Sequence, residues 1–247
     1  MISSADSPLG FTYGPCNFTT STVPDVRRAC FRVRNVLEEV VYDTVYLENN
    51  PLTFPEVKTL MDGVTVGGHR LSDANQVLNQ AASWRELLSQ VEAGRFTCNA
   101  ANVKRLHALV AREEALTWGV FRNDRVSVAG TDYQPPGHTE LDTVFRRGLR
   151  ALSSIADVHE RSIATFLFGA LNQFFFDGNK RTARLLMNGQ LLQAGYEVIT
   201  IPARRKEEFN RTMIGFYDSR DGTAMFGFLS DCSLDRNLQY RSDRRVD

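Results

Sequence analysis

Cysteine is scarce in this chain. Cys16, Cys30, Cys98 and Cys232 stand far apart with no CxxC pair, and the four histidines (His69, His107, His138, His159) make no ligand spacing with them. That excludes a structural zinc site of the usual spacing and reads as reduced thiols. Neither sign of charge is in excess, since 29 Lys+Arg balance 29 Asp+Glu. No whole-chain field is available to hold a polyanion by counterion release, so nucleic acid is not expected as a bulk partner, although a local basic site remains open. Long apolar runs are missing as well. No window approaches the roughly 18 apolar residues of a membrane span, and the opening MISSADSPLGFTYG has no basic start followed by an apolar core. The expectation is no membrane association and a cytoplasmic protein, unless it is exported by a signal the sequence does not display. What is present is 43% hydrophobic and 23% charged residues over 247 positions, a composition suited to one or two cored globular domains.

Helical periodicity dominates the chain. From Asp25, the positions Val26, Cys30, Val33, Leu37, Val40, Val41, Thr44 and Leu47 recur at three- and four-residue steps and share one face. Ser21, Thr22 and Pro24 mark the start of this helix and Asn49-Asn50-Pro51 its stop. Thr53 and Glu56 fit a capping box that opens a short helix to about Met61, closed by Asp62-Gly63. Ser72 is placed to cap a long helix over 73–93, and further helices fit 102–116, 139–152, 155–171, 180–194, 203–218 and 223–230. The one β signal is the alternation of Val126 and Val128, followed by turn chemistry from Gly130 to Gly137. The fold expected is all-α with a small β-hairpin flap. It divides into an N-terminal extension over 1–60, a core over 61–235 and a loose polar tail over 236–247.

The chemistry concentrates in Gln173-Phe-Phe-Phe-Asp177-Gly178-Asn179-Lys180-Arg181-Thr-Ala-Arg184. Gly178 and Asn179 suit a tight turn, so the N–H groups of 178 to 181 would face outward from a helix start, where the dipole favours an anion. Arg181 and Arg184, three apart, share a face and can both reach a polyphosphate, while Asp177 offers an oxygen to Mg²⁺. Taken by themselves these residues also fit a capped helix start with two solvated arginines.

The segment Phe175-Phe-Asp-Gly-Asn-Lys-Arg-Thr-Ala-Arg184 resembles the core motif of the Fic (Fido) family, His-Pro-Phe-x-Asp/Glu-Gly-Asn-Gly/Lys-Arg-x-x-Arg. Val120-Phe-Arg and Val128-Ala-Gly-Thr-Asp-Tyr-Gln-Pro-Pro136 resemble the family's flap. Residues 50–57 and 64–71 resemble the segment that commonly precedes its core, and the likeness spans about residues 25–232. The resemblance implies a Fic-type helical domain and a protein adenylyltransferase that moves AMP from MgATP to a Ser, Thr or Tyr hydroxyl of a target protein, of the bacterial toxin or effector type. ATP and Mg²⁺ are the implied cofactors, and a homodimer is compatible with it. It also implies roles. Gly178, Asn179, Lys180, Arg181 and Arg184 bind the nucleotide, Asp177 the metal, and Val128, Ala129, Gly130 and Thr131 dock the target. Thr44, Glu48 and Asn49 fit the inhibitory pattern Ser/Thr-x-x-x-Glu-Gly/Asn, with Glu48 placed one turn after Thr44 to pair with Arg184.

Two positions depart from the pattern. The family's general base is the motif histidine, and its position is held by Gln173, with Phe174 in place of proline. Glutamine cannot take a proton near neutral pH, and loss of such a base commonly removes a factor of about 10²–10⁴. His159 and His138 are the candidate substitutes. Lys180 stands where many adenylyl-transferring members have glycine, and members of the Doc branch with lysine there transfer a phosphoryl group. Gly178, where Doc has alanine, favours AMP. Phe209 and Tyr217 suit either the walls of an adenine pocket or core packing. Three functions stay open: an adenylyltransferase restrained by Glu48, a nucleotide-binding pseudoenzyme acting through a partner, and a phosphoryl transferase.

Overall fold

The computed structural model describes residues 7–15, 18 and 23–233. The expected helix start at Ser21 and Thr22, the tail over 236–247 and Cys16 lie outside the described residues. Among the described residues the chain forms ten α-helices: α1 (Val26–Asn35), α2 (Leu37–Leu47), α3 (Phe54–Met61), α4 (Leu71–Glu92), α5 (Ala100–Val110), α6 (Leu141–Ser153), α7 (Val158–Asn172), α8 (Asn179–Gln193), α9 (Lys206–Ser219) and α10 (Thr223–Asp231). Short 3₁₀ turns precede α6 and α9.

Local chemistry explains most of the boundaries. Asp25 caps α1 by accepting from Arg28 N at 2.9 Å, Asn99 caps α5 by accepting from Asn102 N, and Asp157 caps α7 by accepting from Glu160 N. The box at α3 is formed, with Thr53 N and Oγ1 both donating to Glu56 Oε2 at 2.7 Å. The single helix expected from Asp25 to Leu47 is divided at Val36, whose backbone (φ −123°, ψ 22°) closes α1 and opens α2. The break keeps Val33, Leu37, Val40, Val41 and Thr44 buried, so periodicity alone does not reveal it. Helix α4 starts at Leu71, ahead of the expected cap at Ser72, because Asp73 Oδ2 accepts from Arg70 N. The helix expected over 102–116 stops at Val110, and Glu113 turns into the left-handed region (φ 61°).

The expected hairpin is the main correction. Among the described residues there is no strand, only isolated bridges joining Thr12 to Asp221 and Ile199 to Ser233. Residues 120–137 form an extended loop held by side chains. Arg122, itself buried, donates to the carbonyls of Gln173 (2.6 Å), Asp124 (2.7 Å) and Pro136 (2.5 Å). Pro135 and Pro136 have no N–H to give to a ladder, so the turn residues cannot close the pairing that Val126 and Val128 suggest.

Helices α7 and α8 pack together at the centre and are buried on most sides. Helices α4 and α5 cover α8, α6 and α10 lie against α7, and α1 and α2 pack on α4, with α1 also reaching α8. Gly169 permits the central contact, since a Cβ there would lie 2.8 Å from Ala183 Cβ. One apolar core runs from Leu9 on the N-terminal segment to Cys232.

Substituting Gly169→Ala should therefore destabilise the protein by about 1–3 kcal/mol through overpacking. Gly227→Ala, on α10 with nothing within 4 Å of the added carbon, should stabilise it by about 0.5–1 kcal/mol. Urea unfolding of both variants measures the pair, and equal signs would contradict this account of the α7–α8 contact.

Candidate functional site

The site is built where α7 hands over to α8. Gln173 ends α7 in the left-handed region (φ 45°, ψ 59°), and the chain crosses Phe174–Asp177 before Gly178 (φ 72°) opens α8. Asn179, buried at the first position of α8, closes this loop. Its Oδ1 accepts from Phe175 N at 2.9 Å and its Nδ2 donates to Phe175 O at 2.8 Å and to Gln173 Oε1 at 3.0 Å. The Asn179 side chain is thus committed to the loop, which leaves its backbone N–H as the group expected to meet a nucleotide. Gln173 is committed too, because its Nε2 donates to Ala170 O at 2.6 Å. Phe174 packs against Phe121, Phe145 and Phe168, and Phe175 stacks on His107 with ring centroids 3.6 Å apart.

Gly178 N donates to Asp177 Oδ1 at 2.6 Å. That leaves the amides of Asn179, Lys180 and Arg181 as the outward donors, one fewer than the spacing suggested. No side chain caps the start of α8 and its first turn holds no acidic residue, which keeps the positive end of the helix dipole open to an anion.

Arg181 and Arg184 occupy different surroundings. Arg181 is buried and donates to Glu114 Oε2 at 2.8 Å and to Val110 O at 3.3 Å, with Asp177 Oδ2 3.9 Å away. Arg181, expected on a polyphosphate, is paired here with a carboxylate of the chain itself. Arg184 reaches the other way, to Glu48 Oε1 at 3.2 Å, and Lys180 Nζ lies 3.9 Å from Glu48 Oε2. Burial pushes the Glu48 carboxyl up, but the charges of Lys180, Arg184 and Arg181 outweigh it and hold it below the usual carboxylate range.

Glu48 is the C-cap of α2, and that end is fastened from two sides. Lys206 Nζ donates to Tyr46 O at 2.7 Å and to Asn49 Oδ1 at 2.8 Å. Asn50 Nδ2 donates to Asp73 O and to Gln76 Oε1 on α4. Thr44 is buried one turn earlier. The structure therefore brings Glu48, Lys180 and Arg184 together and places Asn49 at the fastening point.

Val128–Thr131 lie on the extended loop at its approach to α9. Gly130 faces Ile214, Thr131 Oγ1 donates to Asp218, and Tyr133 stacks on Tyr217. Among the described residues the backbone of 126–130 makes no backbone hydrogen bond. Phe209 and Tyr217 are buried in the core. Of the candidate substitutes for a base, His138 is exposed on a 3₁₀ turn and His159 lies against the rings of Phe18 and Tyr196. Asp177 has a side chain 62% exposed, and no group of three or more His, Cys, Asp or Glu gathers into a metal cage among the described residues. A lone exposed carboxylate suits Mg²⁺ that takes its other oxygens from phosphate and water.

Two residues of the site carried no signal in the sequence. Glu114 sits after α5, beyond the reach of any local spacing, and accepts from Gln76, Asn79 and Arg181. His107 has no metal-ligand spacing in the sequence and no other local signal. It is fully buried, its Nε2 lies 2.9 Å from Asp177 O, and its Nδ1 accepts from Gly119 N at 3.0 Å. Since Nδ1 accepts, Nε2 carries the proton and donates to Asp177 O, so the ring joins the α8 entry to the 111–119 loop.

Residues 97–191 match the Fic/DOC family. The chain is 28% identical over 216 residues to protein adenylyltransferase Fic of Drosophila ananassae, covering 82% of this chain and 42% of that protein. It is 26% identical over 212 residues to the Drosophila erecta protein of the same name, with the same coverage. The chain thus spans about two-fifths of the length of these curated relatives. Among solved structures, Fic-1 from C. elegans superimposes with a TM-score of 0.74 at 20% identity over 89% of this chain and 67% of that one. A Fic domain containing signaling protein from Bacteroides thetaiotaomicron gives 0.67 at 21% identity over 83% and 86%. These likenesses agree with the helical fold described above.

Burial lowers the His107 pKa to about 4 from 6.5, with a measurable consequence. Between those values the unfolded chain binds a proton that the folded chain does not, so stability falls as the pH drops from about 6.5 towards 4 and is unaffected above that window. The shift corresponds to up to about 3 kcal/mol at the acid end. Melting curves from pH 7 to 4.5 should show a steeper decline for the wild type than for His107→Gln, which has no group to protonate; parallel declines would exclude His107 as the source.

Proposed function

Because residues 97–191 belong to the Fic/DOC family, we propose that this chain binds MgATP at the start of α8 and transfers AMP slowly to a hydroxyl of a protein target. On this reading Glu48 restrains triphosphate binding and Gln173 restrains chemistry. The observation that carries it is the Glu48–Arg184 contact at 3.2 Å across an uncapped helix start. A carboxylate of the chain itself holds the cation that a terminal phosphate would otherwise engage.

The geometry supports the following roles. The amides of 179–181 receive phosphate oxygens, and Lys180 and Arg184 supply positive charge once Glu48 withdraws. Asp177 offers its exposed carboxylate to Mg²⁺, which when bound would neutralise phosphate charge. The open backbone of 126–130 suits an extended target segment that adds beside it, placing a side-chain hydroxyl over the loop. Attack of that hydroxyl on the α-phosphorus forms the new P–O bond, breaks the bond to the β-phosphate and expels pyrophosphate, and the hydroxyl proton passes to solvent water, which accounts for the slow rate. Gln173 cannot take it. Its amide has no basic site, and both ends are engaged by Ala170 O and Asn179 Nδ2. That same engagement favours a second reading, in which the chain holds nucleotide without transferring any group and acts by binding a partner. A third, phosphoryl transfer of the Doc type, rests on Lys180.

Separate incubations with α-labelled and γ-labelled ATP distinguish the three. Label carried from α supports AMP transfer, label from γ alone phosphoryl transfer, and no label with retained MgATP binding the pseudoenzyme. Glu48→Gly should raise MgATP affinity several-fold in calorimetry while lowering the melting temperature of the nucleotide-free protein, because it leaves the buried Arg184 charge unpaired. Unchanged affinity would remove occlusion by Glu48. Gln173→His combined with Glu48→Gly should increase AMP labelling by about 10²-fold or more over Glu48→Gly alone if only the base is missing. A triple variant adding Phe174→Pro guards against a misplaced imidazole.

A further inference from the structure

Helix α2 ends on Glu48, and its last turn contains no basic residue of its own. The carbonyls of that turn are the negative end of the helix dipole, where a cation is stabilising. The cation comes from the first residue of α9. Lys206 stands 160 positions after Tyr46, and its Nζ donates to Tyr46 O at 2.7 Å and to Asn49 Oδ1 at 2.8 Å. The same ammonium lies 4.8 Å from the centre of the Tyr46 ring. These contacts bracket Glu48 in sequence. The chain entering α9 also touches α2 one turn earlier, where Ala203 N donates to Asp43 Oδ1 at 2.8 Å. Asn49 lies in the left-handed region (φ 64°), a conformation that costs energy in a residue with a Cβ, though least in asparagine. By binding the Asn49 side chain, Lys206 fixes the chain reversal that follows Glu48 directly.

The two fastenings of this helix end differ in kind. Asn50 is buried and is held by neutral hydrogen bonds to α4, whereas Lys206 is half-buried and acts through its charge. The Glu48–Arg184 pair at 3.2 Å requires the carboxylate at a fixed point, and a loosened helix end would lose conformational entropy each time the pair formed. We propose that Lys206 is a positioning residue that sets how firmly Glu48 restrains the triphosphate site. Loss of its ammonium releases the restraint while both members of the Glu48–Arg184 pair stay in place. The inference rests on the reading in which Glu48 occludes triphosphate binding. Its sign is opposite to that of plain electrostatics. Removing a cation weakens attraction for a polyanion, whereas loosening Glu48 strengthens MgATP binding.

Hydrogen exchange and calorimetry test this on wild type, Lys206→Met, Lys206→Arg, Glu48→Gly and the double variant Glu48→Gly/Lys206→Met. The amides of Glu48, Asn49 and Asn50 are bonded to Val45 O and Tyr46 O. In nucleotide-free protein, Lys206→Met should speed their exchange about fivefold or more, and Lys206→Arg, which keeps the charge, should stay near wild type. Lys206→Met should also lower the MgATP Kd by about threefold or more, with no such gain in the Glu48→Gly background. Lys206→Gln is a second neutral replacement and should match Lys206→Met. Unchanged exchange at 48–50 in both neutral variants would overturn the proposal whatever the nucleotide does. So would unchanged or weaker MgATP binding, or an equal gain on the Glu48→Gly background. If Glu48→Gly itself gains no affinity, occlusion by Glu48 fails and the proposal falls with it. If Glu48→Gly gains and the neutral variants do not, only the role of Lys206 fails.

Discussion

Two guanidinium groups are buried one turn apart on α8, and each needs a carboxylate brought from elsewhere in the chain. An ionised group taken out of water without a partner is among the most expensive features a fold can carry. Glu114 reaches Arg181 from the segment after α5, and Glu48 reaches Arg184 from the end of α2. The placement of those two segments follows from this demand. Gln76 and Asn79 hold Glu114 from α4, and Lys206 and Asn50 hold the end of α2 from α9 and to α4. A chain of polar contacts thus runs from Asn50 through Gln76 and Glu114 to Arg181, tying the last residues of the α2 turn to the same helix start that Glu48 faces.

The two pairs differ in what they leave available. Arg181 has a second acceptor in Val110 O, with the Asp177 carboxylate close by, so its role is to anchor α8 against α5. Arg184 makes one contact to Glu48 and shares that carboxylate with Lys180. Of the two it is the cation most easily released to a competing anion. An anionic ligand at the α8 start would compete with Glu48 directly, and the energy required is that of withdrawing one carboxylate from two cations. On the proposed reading, the coupling between nucleotide and α2 is a property of the charge arrangement and needs no rearrangement of the core.

The loop between α7 and α8 owes its shape to amides. Asn179 and Gln173 bind each other and the backbone around them, Arg122 takes the Gln173 carbonyl, and His107 supports the Asp177 carbonyl. A glutamine in this position stabilises the left-handed end of α7 through the bond to Ala170 O and keeps the loop closed. On the proposed reading Gln173 stands where a base is expected, and its side chain gives the scaffold a structural contact. This is why restoring histidine tests the chemistry and the local fold together.

The sequence by itself determined the elements whose causes are local. The Thr53–Glu56 capping box, apolar stripes along the helices and the glycine turn before α8 depend on neighbours within a few residues, and those are visible in one dimension. It also determined that Glu48 lies one turn beyond Thr44 on α2, and that the motif between α7 and α8 carries glutamine where a base is expected. The tertiary structure alone decided that the helix from Asp25 divides at Val36, that the 120–137 segment is an extended loop held by Arg122, and that Arg181 belongs to Glu114. It also placed His107 under Asp177 and Lys206 against the end of α2. Each of these depends on residues tens of positions apart, and burial, which turns an ordinary arginine or histidine into a constrained one, has no value until the chain has packed.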